Sequence, residues 1–125
     1  AGGELNMADN NLRRANLIDY GEVTNALGSV SGSTAIDLTA GNSVTATVSS
    51  TTTFTFSNAT TSDEMASFSL QLTVSSSPTI NWPAAVDWNA GGGAPTPVDG
   101  VSWYEFWTVT GGTVWYGARV GSAFA

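Results

Sequence analysis

Residues 66–74 read Ala-Ser-Phe-Ser-Leu-Gln-Leu-Thr-Val and alternate strictly between apolar and polar side chains after Ala66. Successive side chains of a β-strand point to opposite faces, so this segment places all of its large apolar groups on one face. The apolar set is Phe68, Leu70, Leu72 and Val74. The alternation predicts a strand with one face in a hydrophobic core and the other toward solvent.

The same alternation extends outward from this strand in both directions. Apolar and hydroxyl side chains alternate in further short segments, at 34–38, 43–48, 52–56, 79–82, 85–88, 101–109 and 113–120. Gly111 and Gly112 separate the last two segments and indicate a hairpin. About eight strands with turn residues between them predict an all-β fold over residues 28–125, an antiparallel β-sandwich or jelly-roll-like domain.

The composition excludes several classes of protein. The chain of 125 residues is long enough for one domain and contains neither cysteine nor histidine. Disulfides, thiolate metal sites and the usual histidine general base are therefore absent. Charged residues make up only 10% of the chain, compared with about 25% in ordinary domains. We expect no catalytic residues, no metal and no cofactor.

The charge balance limits the partners. The net charge is −7, and the three bases are Arg13, Arg14 and Arg119. Nucleic-acid binding depends on neutralising phosphates, so this charge argues against DNA or RNA as a partner. It also argues against an anionic membrane surface, and no apolar run approaches the length of a membrane span.

Residues 1–17 show no strand-like alternation and form a predicted N-terminal arm. Their apolar side chains are sparse, and two of the three bases stand together within them. The arm either folds back on its own domain or lies on another subunit, and we interpret it as an attachment device. The predicted partner-binding residues are Leu5, Met7, Leu12, Arg13, Arg14 and Leu17.

Residues 18–27 are predicted to form one short helix. Leu17, Tyr20, Val23 and Leu27 recur at the spacing of three and four residues that is typical of a helical face. Gly28 follows the last apolar residue, as a C-terminal helix cap would. The domain organisation is thus an arm over 1–17, a helix over 18–27 and the β-domain over 28–125.

The last third of the chain is rich in tryptophan. Residues 103–107 read Trp-Tyr-Glu-Phe-Trp, so both faces of one predicted strand are aromatic. Only one face can lie in the core, and the other then forms a contact surface. That surface either packs against subunits in a homotrimer or stacks on sugar rings, with the homotrimer favoured. The residues predicted for it are Trp103, Trp107 and Trp115.

Two groups of carboxylates are weak candidates for chemistry. Asp87 and Glu105 lie near the aromatic segments, but solvent-facing strand positions explain both better than a glycosidase acid–base pair. Asp63 and Glu64 lack the ligand spacing of a cation site and fit a solvated turn. Residues 90–97, Ala-Gly-Gly-Gly-Ala-Pro-Thr-Pro, form either a long connection or a loop tip that meets a ligand.

Several segments, taken together in their order along the chain, resemble a small β-rich domain common in structural proteins of tailed-phage virions. The matching segments are Trp82–Trp88 (WPAAVDW), Gly91–Thr96 (GGGAPT) and Gly111–Gly117 (GGTVWYG), with Ile36–Leu38, Gly41–Asn42 and Thr53–Asn58 upstream. Leu17–Glu22 is similar to a short helix that often precedes the domain. Residues 103–107 depart from the plainer family pattern.

The resemblance implies association with a virion. Together with the arm, it favours a small decoration protein that attaches to the major capsid protein or another virion protein and is trimeric. The alternative is a tail-fibre tip that binds a receptor or a host surface glycan. The start of the chain shows no signal peptide, so we expect synthesis in the host cytoplasm and localisation on the particle surface.

Overall fold

A computed structural model describes residues 3–125, and somewhat more than half of the chain lies in seven β-strands. The strands are β1 (Thr24–Asp37), β2 (Ser43–Ser57), β3 (Ser62–Val74), β4 (Ile80–Asn81), β5 (Val86–Trp88), β6 (Gly100–Thr110) and β7 (Trp115–Phe124). Two short 3₁₀ turns lie at Leu38–Ala40 and Asn89–Gly91. The predicted all-β class is confirmed.

The seven strands form a single mixed sheet rather than the expected antiparallel one. Its order is β1-β2-β3-β6-β7-β5, with β4 paired to β2 outside this path. β3 with β6 and β6 with β7 are antiparallel. Parallel pairing joins β2 to β1, to β3 and to β4, and it also joins β5 to β7. The prediction of a purely antiparallel sheet was therefore wrong.

The link between β1 and β2 requires both strands to bend. β1 has 14 residues and β2 has 15, they pair in parallel, and only Leu38–Asn42 connects them. Five residues reach at most about 17 Å, whereas a straight 14-residue strand is about 46 Å long. The end of β1 must therefore return close to its beginning. Val23, just before β1, indeed lies beside Gly41 in this link.

Irregularities in both strands provide the bend. The β1–β2 register shifts between Ala26 and Gly28 and again between Val30 and Gly32. Both glycines have positive φ, 72° and 64°, a conformation that other residues adopt at a cost. At the second shift, the partner on β2 changes from Val48 to Thr52, so three residues of β2 are skipped in the pairing. The first half of β2 pairs with β3 and its second half pairs with β4.

Asp37 closes the link at the end of β1. Its Oδ1 accepts hydrogen bonds from Asn58 Nδ2 at 2.8 Å, from Thr39 Oγ1 at 2.7 Å and from Thr39 N at 2.9 Å. These hydrogen bonds hold the pKa of the Asp37 carboxyl below its usual value, and the bond from Asn58 has the largest effect. One exposed carboxylate thus joins the ends of β1 and β2.

The core lies on the face predicted from residues 66–74. Phe68, Leu70 and Leu72 are between 0% and 2% exposed, which confirms the predicted register of β3. Tyr104 and Phe106 of β6 are also fully buried. The core is therefore built from alternate residues of neighbouring strands, as the hydroxyl-rich alternation requires.

Aromatic rings connect β2 to β6 and β7, which are not its neighbours in the sheet, as well as to β3. The Phe56 ring of β2 packs edge-on against Phe68, Phe106 and Trp115, with centroids 4.9 to 5.3 Å apart. Gly117 of β7 leaves room for this packing, because a Cβ there would lie 3.0 Å from Cε1 of Phe106. Such pairs stabilise a fold beyond the area that they bury.

The predicted helix at 18–27 is absent. Residues 3–23 contain neither helix nor strand, and Thr24 to Leu27 already belong to β1. Leu17, Tyr20 and Val23 are 65%, 68% and 73% exposed. A short helix is stabilised mainly by packing its apolar face, and here that face has no surface to pack on. Gly28, the predicted cap, lies in a strand.

We expect Leu70→Ala to lower the free energy of unfolding by about 2–5 kcal/mol, because it opens a cavity in the core. Gln71→Ala, its neighbour on the opposite face, serves as the control and should change stability by less than about 1 kcal/mol. Urea denaturation followed by tryptophan fluorescence measures both. Equal losses in the two variants would contradict the register.

The buried Tyr104 hydroxyl has no hydrogen-bond partner within residues 3–125. Burial raises the pKa of Tyr104 above its ordinary value of 10.0, and Arg119 partly offsets this effect. The unfolded chain therefore loses the proton first as the pH rises. The stability that depends on neutral Tyr104 is fully present below pH 10 and is lost as the pH rises through the folded-state pKa.

Tyr104→Phe should therefore be as stable as the parent protein at pH 7 and should lose less stability at alkaline pH. Denaturation curves from pH 7 to pH 11 test this expectation. Tyr116→Phe is the control, because it removes the same hydroxyl group from a side chain that is 54% exposed and lies outside the core. A Tyr104→Phe variant that loses as much stability as the parent would show that another group is responsible.

Candidate functional site

The segment before β1 is attached to the body by few contacts. In the part of the chain that the structure describes, residues 3–22 form hydrogen bonds only with one another, among them Ala8 N to Asn6 Oδ1 and Asn10 N to Met7 O. Asp9 lies beside the turn at residues 59–61. The segment thus follows the body without joining its sheet.

Most predicted arm residues have side chains available to a partner. Leu5, Leu12 and Leu17 are 78%, 60% and 65% exposed. Arg13 and Arg14 are exposed, and Met7 is half-buried. The exposed apolar stretch also continues beyond the predicted arm, because Ile18 is 89% exposed. Residues 1 and 2 of the predicted arm lie outside the described residues.

One face of β6 lies in the core and the other lies outside it, as the alternation of its residues predicts. Tyr104 and Phe106 face the core, whereas Trp103 is half-buried and Trp107 is 37% exposed on the outer face. The outer side chains of β6 are therefore the ones available to a ligand or a subunit. Both predicted tryptophans of this strand lie on that outer face.

Trp115 does not belong to that surface. It is only 3% exposed, and its ring packs edge-on against Phe56 and Phe68 in the core. Its backbone N–H donates to Ala85 O at 2.8 Å, which fixes the start of β7 beside β5. The prediction that Trp115 lies at an interface or stacks on a ligand was wrong, because the first residue of β7 points inward.

Glu105 organises the outer face between the two tryptophans. Its Oε1 accepts a hydrogen bond from Ser69 Oγ at 2.5 Å and one from Trp103 Nε1 at 2.9 Å. Ser69 lies directly opposite Glu105 in the β3–β6 register. Sequence reasoning missed Ser69, and only the pairing of β3 with β6 could have revealed it.

The other carboxylates form no cluster with this one. Asp87 of β5 is exposed and pairs with Tyr116 of β7, so one strand separates it from β6. Asp63 and Glu64 are exposed near the start of β3. Among residues 3–125, no group of three or more metal-binding side chains comes together.

The helical segments in residues 3–125 include none with the length and hydrophobicity of a membrane-spanning helix.

The loop at residues 90–97 is tied to the body. Arg119 Nη1 donates a hydrogen bond to Thr96 O at 2.6 Å. Pro95 and Pro97 are half-buried. This anchoring fits a connection between β5 and β6 better than a loop tip that meets a ligand.

Comparison of the chain with protein-family models, curated proteins and solved structures gives no match. In the part of the chain that the structure describes, the exposed segment before β1 and the outer face of β6 are two surfaces that present large apolar side chains to a partner.

Trp107→Ala and Trp115→Ala should differ sharply in their effect on folding. Trp115→Ala empties a buried ring position and should lower the free energy of unfolding by about 3–5 kcal/mol. Trp107→Ala removes a partly exposed ring and should lower it by about 1 kcal/mol or less. Thermal and urea denaturation measure both variants. A Trp107→Ala variant as unstable as Trp115→Ala would show that the outer face is part of the folding core.

Proposed function

We propose that the protein is a structural component of a phage-like virion, a small decoration protein that attaches to the particle surface through its N-terminal segment. The exposed apolar side chains before β1 carry this proposal. Six large apolar residues there are 60–89% exposed: Leu5, Leu12, Leu17, Ile18, Tyr20 and Val23. Apolar exposure on this scale is typical of a surface that contacts a partner.

The geometry of the segment fits attachment. Its backbone groups make no hydrogen bond to the body within the described chain, so they are available to pair with a sheet edge or to line a groove. Ordering such a chain costs about 1–2 kcal/mol per residue, and the partner contact must offset that cost. The proposed partner is the major capsid protein or another virion protein.

The distribution of charge also supports attachment through the segment before β1. Residues 24–125 contain six acids and one base, Arg119. The other two bases, Arg13 and Arg14, lie in the exposed segment. A basic pair on the segment favours an acidic position on the partner.

We also propose a homotrimer and a β-sandwich architecture. β1 lies at the edge of the sheet, and its 14 residues contain no lysine, arginine or proline. An unpaired edge without these residues can pair with the edge of another chain, which supports an oligomer. The bend in β1 and β2, with the ring contacts from β2 to β7, supports two layers packed face to face.

A tail-fibre tip that binds a receptor is the second candidate. The ordered pair of Trp103 and Glu105 on the outer face favours it, since this face does not contribute to the core. A low-resolution map of the particle distinguishes the two candidates. Many copies on the shell support decoration, and a few copies at the tail support the fibre tip. In either role the protein acts by binding, without catalysis.

Deletion of residues 1–15 should leave the β-domain folded and abolish binding to particles. Far-ultraviolet circular dichroism and the thermal midpoint report on folding. Co-sedimentation with particles that lack the protein reports on attachment. The fold should persist because residues 3–22 form no hydrogen bond to the body in the described chain.

Val120→Ser is the matched control, because Val120 is 60% exposed but lies on β7. It should co-sediment like the parent protein. The triple variant Leu5→Ser, Leu12→Ser, Leu17→Ser should lose binding as the deletion does. A truncated protein that still decorates particles would place attachment on the sheet, and one that fails to fold would place the segment in the folding unit.

A further inference from the structure

The outer face of β6 carries an ordered aromatic–carboxylate patch, formed by Trp103, Glu105, Trp107, Tyr116 and Ser69. The first three are alternate residues of one strand. Ser69 lies opposite Glu105 on β3, and Tyr116 lies opposite Trp107 on β7. The patch therefore extends over three adjacent strands and faces away from the core.

The indole ring of Trp103 is tied to Glu105 by a hydrogen bond. Its Nε1 is 2.9 Å from Oε1 of Glu105, two residues further along the same strand face. Positions two apart on a strand are separated by about 6.6 Å, so the two side chains lean toward each other along the strand to make this bond. The half-buried Trp103 ring is thus held on the outer face by its hydrogen bond to Glu105.

Glu105 keeps one oxygen available beside that ring. Both of its hydrogen bonds go to Oε1, from Ser69 and from Trp103. Within residues 3–125, the buried polar side-chain atoms without a partner are those of Ser102 and Tyr104, so Oε2 of Glu105 reaches solvent. The patch thus combines an indole ring held by a hydrogen bond with a carboxylate oxygen that can accept a further one.

We propose that this patch binds a neutral glycan. The apolar C–H face of a sugar ring packs on the Trp103 indole, and a sugar hydroxyl donates to Oε2 of Glu105. Trp107, four residues or about 13 Å further along β6, and its neighbour Tyr116 on β7 provide a second aromatic contact. A few well-placed polar groups among aromatic side chains are the usual composition of a small-molecule site.

The charge of the face disfavours anionic ligands. Glu105 and Asp87 both lie on this side of the sheet, and Arg119 lies on the opposite side, beside Tyr104. Acidic sugars and phosphates are therefore repelled, and no base on β3, β5, β6 or β7 compensates their charge on this face.

The same charges argue against a second copy of this chain as the occupant. A symmetric contact through the patch would bring Glu105 carboxylates of different subunits together and remove them from water without a cation. Sugar hydroxyls satisfy the carboxylate as donors without burying a second charge. This inference does not depend on attachment to a particle.

Titration with chitohexaose, cellohexaose and maltohexaose tests the proposal. The readouts are the indole N–H signals of the tryptophans in nuclear magnetic resonance spectra and calorimetric affinity. At least one of these neutral hexamers should shift the Trp103 indole signal at concentrations up to about 10 mM. Trp103→Ala and Glu105→Gln should each weaken that binding about tenfold or more.

Thr55→Ala, on an exposed position of β2 away from the patch, is the matched control and should bind like the parent protein. Glu105→Gln nearly keeps the shape of the side chain, so it stays informative if Trp103→Ala does not fold. Binding that is unchanged in both patch variants, or no binding of any of the three hexamers, overturns the proposal.

Two further measurements separate the competing occupants. The deacetylated form of chitohexaose carries ammonium groups, and tighter binding of this form than of every neutral hexamer would make the patch a cation site. Light scattering of the parent protein and of Trp103→Ala reports on self-association. An oligomer that dissociates in Trp103→Ala would make the patch a subunit interface. Either result overturns the assignment to a neutral glycan.

Discussion

A link of five residues joins two long parallel strands, and the rest of the structure depends on this constraint. Parallel strands ordinarily need a crossover of a dozen or more residues. Here Leu38–Asn42 can connect β1 to β2 only because both strands bend and bring their ends together. The bend carries the second half of β2 over the rings of β3, β6 and β7, and Phe56 meets Trp115 there. The core is therefore assembled from strands that are distant in the order of the sheet.

The bent sheet separates the chain into an inner side that folds and outer regions that are free to bind. Inner side chains satisfy one another by packing, and only the Ser102 and Tyr104 hydroxyls remain buried without a partner in the described residues. On the outer face, Glu105 and Trp103 hold each other in place although neither belongs to the core. The segment before β1 adds apolar surface that the body does not cover. These outer features support both proposals of binding, one to a particle and one to a neutral glycan.

The errors made from the sequence have identifiable physical causes. The spacing of Leu17, Tyr20 and Val23 fits a helical face, but a short helix is stabilised mainly by burying that face, and these side chains are exposed. A compositional signal contradicted the helix: serine and threonine are absent before Thr24 and frequent after it, and β1 begins at Thr24. Trp115 follows a hairpin turn, and this position in the sequence did not reveal whether its side chain points into the core or toward solvent. The direction of strand pairing was equally hidden, because alternation is the same in parallel and antiparallel sheets.

The sequence by itself determined the all-β class, the inward face of β3 and the division of β6 into two aromatic faces, because a period of two depends only on neighbouring residues. It also determined that catalysis by histidine or cysteine is excluded, since composition does not depend on the fold. Only the tertiary structure decided the parallel pairing of β1 and β2, the burial of Trp115 and the contact of Ser69 with Glu105. Each of these depends on which strands become neighbours, and that choice is made by the packing of the whole core around the bent pair.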